Sequence, residues 1–258
     1  MGARLGQHFL LDPSILRRIA AAAVLAPDET VLEIGPGKGT LTRELAKLAR
    51  HVTAIEADRA LAAALPAGLD EARVRVVTGD ALKVPWPATT VVCGNIPYRI
   101  TSPLLDRALR PPRPARIVFL VQAEVAARLA AAPGSRGYGA LTAGVRLVAA
   151  VERLFAVPAG AFRPRPRVDS ALVRLVPLAA PLVATEEEER RVRTAIQRLF
   201  QRRRQQLGRS VREAFALEAA EAEAALAAAG FEPRARVEEL PPAAFVALAR
   251  ALGPRLAS

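Results

Sequence analysis

The chain has 258 residues, is 52% hydrophobic and mixes both signs of charge, which excludes a disordered protein and allows one α/β domain with a smaller second unit. Its formal net charge of +12, carried almost wholly by arginine because Lys38, Lys47 and Lys83 are the only lysines, points to a polyanionic partner, either nucleic acid or an acidic membrane surface. The single cysteine, Cys93, excludes an intrachain disulfide and a cysteine metal site, two histidines without ligand spacing speak against zinc, and no run of about 18 uncharged apolar residues offers a transmembrane helix.

Asp12-Pro13 is a helix start, and the helix predicted over 12–26 takes in Arg17 and Arg18, so the apolar residues behind them read as helix rather than as a cleaved signal. Apolar strands are predicted over 30–34, 51–55, 73–77, 90–94 and 116–121, with helices over 40–50, 60–65, 102–109 and 122–131 between and after them. That alternation predicts a parallel sheet with helices on both faces. Two β-like segments, 145–155 and 170–176, have no clear helix between them and predict an antiparallel closing hairpin, for seven strands in all.

The character changes after Pro181. Thr185 with Glu188 forms a capping box, and apolar residues from Val192 to Leu207 recur at helical spacing, with Gly208 as a stop. Ser210 with Glu213 reads as a second cap, 218–229 as an alanine-rich helix ended by Gly230, and 242–252 as a last helix opened by Pro242. The chain thus divides into a sheet-bearing domain over 1–180 and an all-helical unit over 181–258.

Glu33-Ile34-Gly35-Pro36-Gly37-Lys38-Gly39 ends the first strand and opens a helix. Glycines there let the backbone turn sharply and approach a ligand closely, which suits a dinucleotide as well as S-adenosylmethionine. Glu56, at the end of the next strand, can accept both ribose hydroxyls of a nucleoside, and Asp80, after the third, can reach an adenine amino group. The discriminating signal is Asn95-Ile96-Pro97-Tyr98, directly after the fourth strand. An exocyclic adenine nitrogen is a poor nucleophile because its lone pair is delocalised into the ring. The Asn95 amide oxygen and the Ile96 carbonyl, held before the rigid Pro97, supply two acceptors for its N–H groups, and Tyr98 offers a ring face for an extruded base. No strong base is needed, since water can take the proton; the protein's work is alignment for in-line displacement at a sulfonium methyl.

With these pieces in place the sequence resembles the ribosomal RNA adenine N6,N6-dimethyltransferase family over roughly 4–215. Besides the motifs above, the resemblance rests on Leu5-Gly6-Gln7-His8-Phe9-Leu10, Ile55-Glu56-Ala57-Asp58, Gly79-Asp80-Ala81, Val121-Gln122-Ala123-Glu124, Pro133-Gly134-Ser135-Arg136-Gly137-Tyr138-Gly139 and Phe162-Arg163-Pro164-Arg165-Pro166-Arg167. It implies a Rossmann-like S-adenosylmethionine-dependent methyltransferase domain followed by a helical RNA-recognition domain. It implies cofactor contacts at His8, Leu10, Gly35, Gly37, Glu56, Asp80 and Asn95, and target-base contacts at Asn95, Pro97, Tyr98 and Phe162. His8 departs from the family, which usually has Asn there. Within the family, the Gly-Gln start and the Pro-Gly-Ser…Tyr-Gly segment resemble the branch that dimethylates two adjacent adenosines near the 3′ end of 16S rRNA more than the antibiotic-resistance branch acting on 23S rRNA. A role of another class, ribosome assembly by binding alone, is compatible with the same residues.

Nine arginines fall within 190–212, including Arg202, Arg203 and Arg204, while Arg163, Arg165 and Arg167 alternate with prolines. Guanidinium groups in such runs neutralise phosphates without reading sequence, so Arg163, Arg165 and Arg202–Arg204 are the expected RNA contacts. The expected partner is 16S rRNA in the immature small subunit, met by a monomer in the cytoplasm without membrane attachment, with no metal.

Overall fold

The computed structural model describes residues 7–253; Leu5 and Gly6 of the N-terminal motif lie outside the described residues. In chain order the elements are β1 (Phe9–Leu10), α1 (Pro13–Ala23), β2 (Thr30–Ile34), α2 (Thr40–Leu48), β3 (His51–Glu56), α3 (Arg59–Ala64), β4 (Val74–Thr78), β5 (Val91–Asn95), α4 (Thr101–Ala108), β6 (Arg116–Gln122), α5 (Ala123–Ala130), α6 (Ala140–Val145), β7 (Ala149–Val157), β8 (Phe162–Arg163), β9 (Ser170–Pro177), α7 (Glu186–Phe200), α8 (Leu207–Phe215), α9 (Ala219–Ala228) and α10 (Pro242–Leu252). The main sheet has seven strands in the order β4-β3-β2-β5-β6-β9-β7. β4, β3, β2, β5 and β6 are parallel, and β9 returns antiparallel to β6 with Gln122 opposite Ser170.

The central strands β2, β3, β5, β6 and β9 are buried almost throughout because both faces are covered, whereas the edge strands β4 and β7 are partly exposed. Val31, Val52, Val91, Cys93, Val118, Leu120 and Leu172 share one buried cluster with Ile15, Leu16 and Ile19 of α1 and with Leu41 and Leu45 of α2. Residues one step along each strand point the other way, and Leu32, Ile34, Val92, Ile117, Phe119 and Val173 are fully buried there too. At about 1.5–3 kcal/mol for each large apolar side chain removed from water, these two layers are the main source of the fold's stability. Asp12 caps α1 by accepting from Ser14 N at 2.9 Å and Ile15 N at 3.2 Å, and Pro13 occupies the first turn.

Strand order fixes where a ligand can enter. The chain runs from β2 outward through β3 to β4, then crosses back to start β5 on the other side of β2. The crevice at the carboxyl ends of β2 and β5 is therefore the switch point of the sheet, where open α/β folds bind ligands. Gly94 lets these two strands close up: a Cβ there would lie 2.4 Å from the Ile34 carbonyl oxygen.

Contacts divide the chain into two compact units. One runs to Ala126 and includes Val151–Pro177; the other comprises Ala127–Ala150 and the chain from Leu178. Chain order alone places the boundary at 180 and 127–150 with the sheet. Their partners explain the difference: Gly134 N donates to Glu238 O at 2.7 Å, and the buried Tyr138 hydroxyl donates to Leu240 O at 2.9 Å.

In the helical unit Thr185 caps α7, accepting from Glu188 N at 3.1 Å, while the Glu188 carboxylate accepts from Ala184 N at 2.6 Å. Gly208 corrects the expectation: it stops no helix but lies in the first turn of α8, where a Cβ would meet Pro233 Cβ at 3.0 Å. Ser210 is likewise no cap; it is buried within α8. Among the described residues, no helix is long and apolar enough to cross a membrane.

Candidate active site

A cavity of about 440 Å³ opens at the switch point, lined by the turn after β2, the strand ends of β3 and β4, the loop after β5 and the N-terminal strand. His8, Leu10, Gly35, Gly37, Glu56, Asp80, Asn95, Pro97 and Tyr98 all line it. The segments after β2, β3, β4 and β5 converge here because each follows a strand end of one parallel sheet, and the N-terminal strand reaches the site through its pairing with β8.

The glycine turn is built for close approach. Gly35 and Gly37 have φ of +68° and +56°, a conformation that costs glycine little. A Cβ on Gly37 would lie 2.8 Å from the Phe9 ring, so Phe9 packs directly on the turn. Glu56 is buried with both oxygens engaged: Oε2 accepts from Gly37 N and Oε1 from Asp58 N, each at 2.9 Å. The carboxylate thus ties the turn to the end of β3. Asp80 Oδ1 accepts from Leu82 N at 2.9 Å, which sets its side chain after β4.

The N-terminal segment straps across this site. β1 pairs antiparallel with β8, Leu10 opposite Phe162. The Leu10 carbonyl accepts from Thr40 Oγ1 at 3.0 Å, and His8 Nδ1 donates to Pro164 O at 2.8 Å. The His8 carbonyl accepts from Asn95 Nδ2 at 2.8 Å. A carbonyl can only accept, so this bond fixes the Asn95 amide with its nitrogen toward the strap and leaves Oδ1 as an acceptor for another group. Tyr98 is held by its hydroxyl, 2.9 Å from Ser170 Oγ, and its ring lies 6.0 Å from that of His8.

Phe162 does not line the cavity. It belongs to β8, and its ring is completely buried in the core cluster. Arg163 and Arg165 are exposed in the segment after it, and Arg99 lines the cavity mouth. Arg203 and Arg204 are exposed in the turn between α7 and α8, while Arg202 lies 3.5 Å from the Glu213 carboxylate.

Glu33 opens the glycine motif, but the sequence gives its side chain no role. Glu33 lines the cavity at 1% exposure, and its Oε2 has no hydrogen-bond partner. Burial pushes its carboxyl up to about 7, with the negative charge of Glu56 adding to the effect. The available signal was an acid in the middle of Thr-Val-Leu-Glu-Ile, an otherwise apolar buried strand. Burial also raises the neighbouring Cys93 thiol, which therefore stays neutral.

Glu33, Glu56 and Asp80 give the cavity three carboxyl groups. Such a lining disfavours a pyrophosphate and favours a nucleoside bearing positive charge, which fits S-adenosylmethionine better than a dinucleotide. Glu56, Asp80, the glycine turn and Asn95 all line the same crevice.

The comparisons agree with this chemistry. A family model described as ribosomal RNA adenine dimethylase matches residues 2–252. The ribosomal RNA small subunit methyltransferase A of Thermobifida fusca is 43% identical over 255 residues, covering 95% of this chain and 88% of that protein. The structure of the 23S rRNA methyltransferase ErmE superposes with a TM-score of 0.74 at 34% identity, covering 95% of this chain and 99% of that one. A dimethyladenosine transferase from Plasmodium falciparum superposes with a TM-score of 0.81 at 26% identity, covering 96% and 98%. A switch-point cavity with three carboxyl groups, an asparagine amide fixed beside it and a family match over nearly the whole length lead to one conclusion: the chain belongs to the ribosomal RNA adenine dimethylase family, S-adenosylmethionine-dependent enzymes that methylate adenine N6 in ribosomal RNA.

Proposed function

We propose that the substrate is small-subunit (16S) rRNA and that the enzyme dimethylates N6 of two adjacent adenosines near its 3′ end during subunit maturation. The observation that carries the choice of subunit is the 43% identity to a small-subunit methyltransferase over 95% of this chain, against 34% to the 23S enzyme.

In this reading the Asn95 Oδ1 and the Ile96 carbonyl accept the two N–H groups of the flipped adenine, and Pro97 holds the loop rigid. Tyr98, tethered through Ser170, stacks on the base. S-adenosylmethionine, when bound, supplies the electrophilic methyl group; His8, Leu10, Gly35, Gly37, Glu56, Asp80 and Asn95 line its place. Phe162 acts from the core by holding Leu10 and the strap in register rather than by touching the base. Arg163 and Arg165 engage RNA backbone, and the helical unit, with Arg202, Arg203 and Arg204, adds further phosphate contacts. The enzyme works as a monomer in the cytoplasm.

Labelled methyl transfer to purified small and large subunits tests the proposal. Label in N6,N6-dimethyladenosine of small subunits from cells lacking the activity supports it; label confined to large subunits replaces it with the 23S reading, favoured by the ErmE likeness, and macrolide tolerance in a sensitive host should then rise. An Asn95→Ala protein that restores subunit maturation without methylating would show that binding carries the maturation role.

A further inference from the structure

Glu33 has a chemical problem that the rest of the site does not share. Glu56 and Asp80 accept from backbone N–H groups, whereas Glu33 Oε2 accepts from nothing, and no lysine or arginine among the described residues pairs with Glu33. An ionised carboxylate left alone in a buried site is strongly disfavoured, and the group takes up a proton instead. The groups facing it offer little relief. From β3 comes the carboxylate of Glu56; from β5 comes Cys93, directly opposite in register and neutral; from α2 comes the buried Thr42 hydroxyl, which favours the ionised form but is outweighed by burial. Asp80 and His8 line the same cavity.

We infer that Glu33 is a proton-exchanging counter-ion for the cofactor: neutral in the free protein, it ionises when a cationic ligand enters the cavity, so that binding expels a proton. The balance is simple. The carboxyl O–H bond breaks, its electron pair stays on oxygen, the proton leaves to solvent, and the ligand's positive charge replaces it as the neutralising group. Two parts of the cofactor carry such charge, the ammonium of its methionine moiety and the sulfonium; either satisfies the buried oxygen. The burial-raised carboxyl, at about 7, puts the exchange near neutral pH. The inference rests on cofactor binding alone and stands or falls independently of which rRNA is methylated.

Calorimetric titration of the full chain in buffers of different ionisation enthalpy counts the protons released. The work is done in a His8→Asn background, so that no imidazole borders the cavity. Between pH 6 and 7, where the ligand's ammonium stays protonated, the expected release falls from about 0.9 to about 0.5 proton per cofactor and the affinity rises about fivefold. Adding Glu33→Gln should abolish the release and flatten the pH dependence. Methylthioadenosine, which has neither cation, should release none. Release by S-adenosylhomocysteine equal to that by S-adenosylmethionine assigns the ammonium as the partner; release by S-adenosylmethionine alone assigns the sulfonium. Should Glu33→Gln not fold, the infrared difference spectrum of the protein without that change must lose a protonated-carboxyl band on cofactor addition. Proton release that survives Glu33→Gln, equal release by methylthioadenosine, or no release by any cationic ligand overturns the inference.

Discussion

Asn95 illustrates how a single hydrogen bond sets chemistry. Its amide nitrogen is spent on the His8 carbonyl, so the oxygen faces whatever occupies the crevice. Replacing it by alanine removes both the acceptor and the link to the strap. Asn95→Ala should therefore lower kcat for methyl transfer by about 10²-fold or more, as loss of one preorganised polar contact does, with a much smaller change in cofactor affinity; single-turnover methylation alongside equilibrium cofactor binding checks this. Strand-end residues such as Glu56, Asp80 and Asn95 were legible because a polar residue just past an apolar strand has few structural reasons to be there. Glu33 was not, because it sits inside the strand, where only the packed fold shows that its side chain borders a cavity. Phe162 illustrates the converse: its place in the chain beside the arginines says nothing about which way its ring points, and pairing of β8 with β1 turns it into the core.

At the scale of elements, the site depends on how closely β2 and β5 approach. Gly94→Ala places a methyl group 2.4 Å from the Ile34 carbonyl oxygen unless the strands part. It should cost about 1–3 kcal/mol of stability by overpacking, read as a lowered denaturation midpoint, and should weaken cofactor binding because the turn after β2 moves with its strand. The other end of the sheet is held by Arg116 of β6, which pairs with Glu29 and also donates from Nε to Ala23 O at 2.6 Å. Glu29→Ala leaves that buried guanidinium without its counter-charge, and a loss of about 3–5 kcal/mol is expected in denaturant unfolding. The side-chain hydrogen bond from Arg116 holds the Glu29 carboxyl below its ordinary 4.5. Because the folded value is the lower one, the pair contributes its full stability above pH 4.5 and loses it as pH falls through the depressed value. A melting temperature that falls in this acid range for the native protein, and less so for Glu29→Ala, checks the sign.

For the whole molecule, the charge surplus has to be assigned to surfaces. Arg203 and Arg204 are exposed, whereas Arg202 is engaged with Glu213. If the helical unit holds RNA as proposed, Arg203→Ala and Arg204→Ala should each flatten the dependence of log affinity on log salt by about one, nearly independently of RNA sequence, and Arg202→Ala should do so less. Binding measured over a salt series distinguishes them.

Periodicity and strand-end chemistry were enough to establish the alternation of strands and helices that builds the main sheet, its antiparallel close and the residues that end each strand, because each depends on residues near one another in the chain. What joins distant segments was decided only in three dimensions. The strap of β1 over the glycine turn, the return of 127–150 to the helical unit through Gly134 and Tyr138, and the packing of Gly208 on Pro233 are contacts between residues far apart in sequence. A local pattern records which face of a helix or strand is apolar, but which distant partner covers that face, and which buried polar atom is left without one, is settled by packing of the whole chain.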